Sequence, residues 1–375
     1  MTTDSSGHTP TRRTFLGQLS LGAAALALPR FNLSGATAVP TRKLGLALVG
    51  LGNYSTGELG PALRETEFVR LAGVVTGTRA KGEKWAQDYG FPTTSVYDYA
   101  TMDRIADNPD IDIVYVVTPV ALHAEQTIRA LKAGKHVICE KPMGMSVAEC
   151  DQMIAASVTA KRALTIGYRL HADPHHQELM RLERENEFGP FKKIVTSNGF
   201  KLNPRDGVKP WRAIAALAGG GPLMDMGVYS VHAACMAAGA TPIAVTAKEE
   251  PKVRPEFFTD VEETLNYTLE FANGAVCQGS TSYERGSGHF RADAERGWFE
   301  MAPAFSYRNL RGATSKGLMM YPPLRQQAKH LDMIARSLIE GTALPTPAAL
   351  GRRDMCIVEA IYAAAKSGRR ELVKA

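Results

Sequence analysis

Three side chains in this sequence have the types needed to move a proton at a carbinol carbon. Lys141 stands in Cys139-Glu140-Lys141-Pro142, at the end of a run that reads as a strand, where a lysine can reach a carbinol oxygen. Asp225 and Tyr229 lie four residues apart, just after Gly219-Gly220-Gly221. In a helix that spacing puts both on one face, and the glycines let backbone approach a ligand closely. Oxidising an alcohol takes away its hydroxyl proton, and the reverse reaction needs an acid. A free phenol titrates near 10, and a neighbouring cation favours the phenolate. Under these rules Tyr229 is an expected proton donor and acceptor. Lys141 is the cation expected to lower its pKa and bind the reacting oxygen, and Asp225 orients substrate hydroxyls or Lys141. The choice of proton carrier stays open between Lys141 and Tyr229.

Such chemistry needs an electron carrier, and the sequence has a place for one. Gly50-Leu51-Gly52 follows the apolar run Leu44–Val49 directly. The first glycine permits a tight turn, and the second lets backbone meet a pyrophosphate at a helix N-terminus. The third glycine of the usual fingerprint is replaced by Ser55, so the motif is weak alone and gains its weight from its position after a strand. The second strand ends in Val75-Thr76-Gly77-Thr78-Arg79-Ala80-Lys81, without the acid that binds the ribose hydroxyls of NAD. Thr76, Arg79 and Lys81 are suited instead to a 2′-phosphate, so NADP is the expected cofactor.

The elements around these residues alternate. Strand runs at Leu44–Val49, Phe68–Val75, Ile111–Val117, His136–Cys139 and Ala163–Ile166 are separated by helical patterns at Lys81–Tyr89, Ala121–Ala133 and Val147–Thr159. That alternation predicts an α/β fold beginning with a doubly wound parallel sheet. The second half reads as strands at Lys192–Lys201, Ala244–Glu249, Glu263–Phe271, Ala275–Tyr283 and Trp298–Met301, with a hairpin signal at Asn273-Gly274. A second α/β unit with an open, mostly antiparallel sheet follows, closed by helices near Leu324–Glu340 and Ala348–Lys366. The expected division is 1–38, 39–168 and 169–375.

The first segment reads as an export address. Thr11-Arg12-Arg13-Thr14-Phe15-Leu16 is a twin-arginine pattern, followed by an apolar stretch to Leu28 and by Ala36-Thr37-Ala38 at cleavage spacing. The expected partner is the twin-arginine export machinery and the expected location the periplasm, with no stable membrane anchor. The first 38 residues carry Arg12, Arg13 and Arg30 against Asp4, so +4 of the formal +6 falls on the rest. Charges are interspersed, which argues against a nucleic-acid partner. The five cysteines show no metal-ligand spacing, and no metal is expected; a chain folded before export needs no disulfide.

"LHAEQTIRALKAGKHVICEKPMGMSVAEC", "WRAIAALAGGGPLMDMGVYSVH" and "EAIYAAAKSGR" together resemble the glucose–fructose oxidoreductase family, the broad Gfo/Idh/MocA group. The resemblance covers the chain beyond the export segment. It implies a Rossmann domain and a second domain whose open sheet supports a homodimer or homotetramer. It matches Lys141 and Tyr229 to the family's catalytic pair and Asp225 to its substrate-binding or supporting carboxylate. Thr76 and Lys81 match NADP-phosphate positions. Gly50, Gly52, Asn53, Tyr54, Arg79, Thr118 and Pro119 complete the expected cofactor contacts near the turn. Tyr99, His123, Glu140, Arg169, Trp211 and Arg212 match cofactor-pocket positions, and Tyr307 matches a pocket tyrosine. Tyr229 resembles the glucose–fructose, aldose–aldose, xylose and dihydrodiol branches, where many relatives carry histidine. Val120 replaces an asparagine that often follows Pro119 in relatives.

An exported compartment is not expected to recycle NADPH. Folded export lets the nucleotide be loaded first, so one sugar can reduce it and a second carbonyl can reoxidise it. The expected function is thus an aldose oxidoreductase with tightly bound NADP. The alternatives are a conventional NADP-dependent sugar dehydrogenase that exchanges its cofactor, an NAD-using glycoside-cleaving relative and a non-catalytic sugar-binding protein.

Overall fold

The computed structural model describes residues 42–204 and 207–374, and the expected export segment 1–38 lies outside them. Six strands form the first sheet: β1 (Leu44–Val49), β2 (Val69–Val75), β3 (Val96–Tyr97), β4 (Ile113–Val116), β5 (His136–Cys139) and β6 (Leu164–Ile166). Their order is β3-β2-β1-β4-β5-β6, with every pair parallel. Leu46, Ala47, Leu48 and Val49 are fully buried, as a strand covered on both faces requires. The chain winds outward in both directions from β1 and β4. The crevice between those two strands, beyond their C-terminal ends, is where such a sheet takes its ligand.

The second sheet has nine strands: β7 (Lys193–Gly199), β8 (Pro242–Glu249), β9 (Thr264–Phe271), β10 (Val276–Ser282), β11 (Ser287–Ala294), β12 (Gly297–Met301), β13 (Gly312–Thr314), β14 (Gly317–Met319) and β15 (Glu371–Leu372). Their order is β14-β13-β12-β11-β7-β10-β9-β8-β15. Only β7 and β10 pair in parallel; the other neighbours are antiparallel. The Asn273-Gly274 hairpin forms as the sequence suggests, with Gly274 at φ +82° and the Phe271 amide donating to the Ala275 carbonyl.

Two helices tie the layers together. The buried helix Val228–Ala238 starts at the site and runs under the second sheet. Helix Gln326–Glu340 returns to the first sheet, where Leu331, Ile334 and Ala335 join the core of Leu46, Leu48, Val74 and Ile138. The chain therefore revisits its first layer before β15 completes the second, and a cut at residue 168 separates the sequence more cleanly than the space. All five cysteines are buried and unpaired. Among the described residues no helix is long and apolar enough to cross a membrane, and no cluster of three His, Cys, Asp or Glu is arranged to hold a metal.

Candidate active site

Local rules place each functional side chain. Gly50 has φ +98°, and a Cβ there would lie 2.9 Å from Thr118 Cγ2, so only glycine fits the turn after β1. A Cβ at Gly52 would meet nothing within 4 Å, which leaves its backbone open to a ligand. Ser55 occupies the third glycine position productively. It is fully buried, and its hydroxyl donates to the Gly50 carbonyl at 2.6 Å, closing the turn from inside. Lys81 reaches back from the helix after β2 to the Leu51 carbonyl, at the mouth of this turn. Thr76 is buried at the end of β2, and Tyr99 lies against Gly77. Arg79 points elsewhere: its guanidinium meets Glu83 at 2.8 Å and the Val96 and Thr93 carbonyls at 3.0 and 3.2 Å.

Beyond β1, β4 and β5 opens a cavity of about 1170 Å³. It gathers Asn53, Tyr54, Thr118, His123, Glu140 and Lys141 from the first layer. From the second it gathers Arg169, Trp211, Arg212, Asp225, Tyr229 and Tyr307. Gly50, Gly52, Thr76, Arg79, Lys81, Tyr99 and Pro119 are not part of this wall; they lie at or beyond the turn and along the ends of β2 to β4.

The Lys141 ammonium donates to the Asp225 carbonyl at 2.5 Å and lies 3.5 Å from its Oδ1. The other carboxylate oxygen accepts from Arg212 Nε at 2.9 Å and from the Tyr283 hydroxyl at 3.2 Å. Burial penalises the Asp225 carboxylate, but Arg212 and Lys141 outweigh it and hold its pKa below the usual range. Asp225 sits in a π-turn, Leu223–Gly227, and Tyr229 in the first turn of the helix that follows. The expected straight helix with both residues on one face is replaced by this wider turn, which aims Asp225 at Lys141 and Arg212. Trp211 lies under Arg212, ring centroid to Cζ 4.6 Å.

Tyr229 departs from expectation. Burial pushes its phenol up to about 12, Arg169 pulls it down, and Glu140 adds to the rise. Lys141 Nζ stands 4.5 Å from the ring centroid, but the leading lowering charge is that of Arg169. Its Cζ stacks between the rings of Tyr229 and Tyr307, at 4.9 and 4.4 Å from their centroids. Two of its nitrogens donate to the Phe305 and Ser306 carbonyls and to Gln326, while Nε is buried with no partner.

Glu140 accepts from the Tyr115 hydroxyl and from the Lys141 amide at 3.1 Å, which fixes the strand end that carries Lys141. Its pKa is raised by burial. Gly167 makes room for it: a Cβ there would fall 2.6 Å from Glu140 Oε1. His123 has Nδ1 2.9 Å from the Pro142 carbonyl and Nε2 2.9 Å from the Thr118 carbonyl, so it ties the segment after β4 to the segment after β5. Thr118 is held by Gln126 at 2.7 Å, and Pro119 leads into the helix beginning near His123. The sequence does not mark Tyr283, Tyr115 or Gln326. Each acts across the fold, and no local motif marks it.

These features define a class. A six-stranded parallel sheet with a glycine turn at its switch point, open space at Gly52 and an adjoining basic, phenol-bearing cavity form the dinucleotide-binding half and the reaction chamber of an oxidoreductase. The particular family follows from comparison. Residues 44–168 match the model of the oxidoreductase family with NAD-binding Rossmann fold, GFO/IDH/MocA, and residues 176–300 match the GFO/IDH/MocA C-terminal domain. The chain belongs to this family. It is similar to the crystal structure of aldose-aldose oxidoreductase from Caulobacter crescentus complexed with glycerol, with 40% identity, TM-score 0.85, and coverage of 88% of this chain and all of that one. It is 27% identical to the D-xylose 1-dehydrogenase [NADP(+)] of Haloarcula marismortui over 69% of this chain and 72% of that protein. An uncharacterized oxidoreductase of Rhizobium meliloti, ORF334, is 28% identical over 53% of this chain, and the match spans 58% of its length.

Proposed function

We propose that this chain is an exported sugar oxidoreductase that oxidises an aldose to its lactone and reduces a second sugar carbonyl to the alditol, with one NADP retained through the cycle. The observation that carries the reading is the convergence of Lys141, Asp225, Arg169 and Tyr229 on one cavity beside the glycine turn. Likeness to an aldose-aldose oxidoreductase at 40% identity supports the substrate class. The absence of an acid at the end of β2, and Lys81 at the turn, support NADP over NAD. The twin-arginine pattern supports periplasmic residence, where a retained nucleotide is the economical arrangement.

A bound nicotinamide would supply the two-electron acceptor and donor. The turn at Gly50 and Gly52, with Asn53 and Tyr54 behind it, would hold its phosphates, and Thr76 and Lys81 the 2′-phosphate. The protein's own part is proton handling. Lys141, held by the Asp225 carbonyl, stands ready to donate to the reacting oxygen. Tyr229, kept protonated by burial, delivers a proton to a sugar carbonyl, and Arg169 stabilises the phenolate left behind. In the oxidising direction the same phenolate takes the hydroxyl proton. Asp225, fixed by Arg212 and Tyr283, keeps Lys141 directed into the cavity.

The test is spectroscopic. Purified protein, with no nucleotide added, is mixed with glucose and followed at 340 nm. A rise followed by decay on adding a second aldose is expected. Protein that carries no nucleotide, and that turns over only when NADP is supplied, would instead be a conventional sugar dehydrogenase.

A further inference from the structure

The cavity has a wall that the proton chemistry does not use. The segment Phe305–Arg308 comes from the second layer and crosses the crevice to the residues behind the glycine turn. Its inner end is fixed: Arg169 donates to the Ser306 carbonyl at 3.1 Å and to that of Phe305, and Gln326 Nε2 reaches Ser306 at 3.4 Å. Its outer end meets the first layer twice. The Tyr307 ring packs on Tyr54 with centroids 5.7 Å apart, and Arg308 pairs with Glu58 at 3.0 Å. Glu58 and Tyr54 belong to the segment that begins at the glycine turn, and all four residues face the cavity. Glu58 is 13% exposed and Arg308 58% exposed, so the pair sits at the rim with its acid held inward.

We infer that the Glu58–Arg308 pair is a clasp that retains the dinucleotide by closing the segment Phe305–Arg308 over its binding crevice. Glu58 and Arg308 belong to neither the fingerprint nor the proton-transfer set. A nucleotide lying between the Gly50–Gly52 turn and Tyr229 must pass beneath Tyr54 and Tyr307 to leave. The Tyr54–Tyr307 contact closes that route in the middle and the ion pair closes it at the rim. The inner anchor does not open with it, because Arg169 is buried. The clasp deepens the reading that the nucleotide stays bound.

The experiment uses the full chain loaded with NADPH and chased with excess NADP, with release followed by NADPH fluorescence. Arg308→Glu places two acids at the rim and is expected to speed release by about 5-fold, the scale an exposed ion pair can command. Arg308→Lys keeps the charge and stays within about 2-fold of the parent, and the swap Glu58→Arg with Arg308→Glu returns to near the parent rate. Thermal melts confirm that each variant is folded. Unchanged release in Arg308→Glu overturns the clasp. A swap that releases as fast as Arg308→Glu also overturns it, since either residue would then be touching the nucleotide directly. If the parent itself releases NADPH within seconds, the resident-nucleotide reading fails, while the ratio of variant to parent rates still decides the clasp.

Discussion

Replacing Tyr229 with phenylalanine removes one oxygen from the centre of the site and keeps the rest. The ring that Lys141 and Arg169 flank at 4.5 and 4.9 Å remains, so the cavity wall and nucleotide binding are expected to persist. With its pKa near 12, the phenol is protonated at neutral pH, and only about 1 part in 10⁵ is phenolate at pH 7. On the proposed mechanism Tyr229 meets a sugar carbonyl as a ready acid, and losing it is expected to slow carbonyl reduction by roughly 10²–10⁴. The direction of the shift also fixes the pH dependence. Sugar oxidation by the parent rises with pH, because the required phenolate grows with alkalinity until the pKa is reached. Carbonyl reduction stays flat over the same range. Single-turnover absorbance at 340 nm, recorded for both directions between pH 6 and about 10, reads both limbs. Oxidation that is independent of pH in the parent, or reduction in Tyr229→Phe within about 3-fold of the parent, would refute the assignment.

Three further outcomes are expected. Asp225→Asn removes the counter-charge of Lys141 and Arg212 and is expected to cost about 1.5–3 kcal/mol in a denaturant melt. The folded carboxyl has its pKa below the ordinary value, so its stabilisation is full above about pH 4 and is lost as pH falls below that; melts between pH 3 and 7 should lose that slope in the variant. Gly167→Ala drives a methyl to 2.6 Å from Glu140 and 2.9 Å from the Tyr115 hydroxyl, and a loss of about 1–3 kcal/mol in thermal or chemical unfolding is expected; an unchanged midpoint would show that Glu140 moves aside freely. Lys81→Ala should weaken NADP binding by about 10-fold or more in a fluorescence titration while leaving NAD nearly unchanged, and equal losses for both nucleotides would place Lys81 on the shared pyrophosphate instead.

Most of the parallel layer was legible because five of its six strands are short, continuous and largely apolar and glycine follows the first, whereas β3, two residues long at the sheet edge, leaves no run to read. Lys141 was legible for the same reason: it ends a strand in a sheet whose strand ends bind ligands. The helix Val228–Ala238 gave no amphipathic signal because it is buried on nearly every side, so period carried no information. β11 has the alternation of a strand with one polar face, Phe290 and Ala292 inward between His289, Arg291 and Asp293, but with only two apolar positions that period is too short to stand out in the sequence. The charge relations failed for a different reason. Sequence places Lys141, Arg169 and Tyr229 in one pocket but does not say which cation leads in tuning the phenol. That choice is made by the Asp225 carbonyl, which draws the Lys141 ammonium aside, and by the Phe305 and Ser306 carbonyls, which hold Arg169 between two rings. A backbone oxygen carries no mark in the sequence, so the partner that tunes Tyr229 could be read only once the chain was folded.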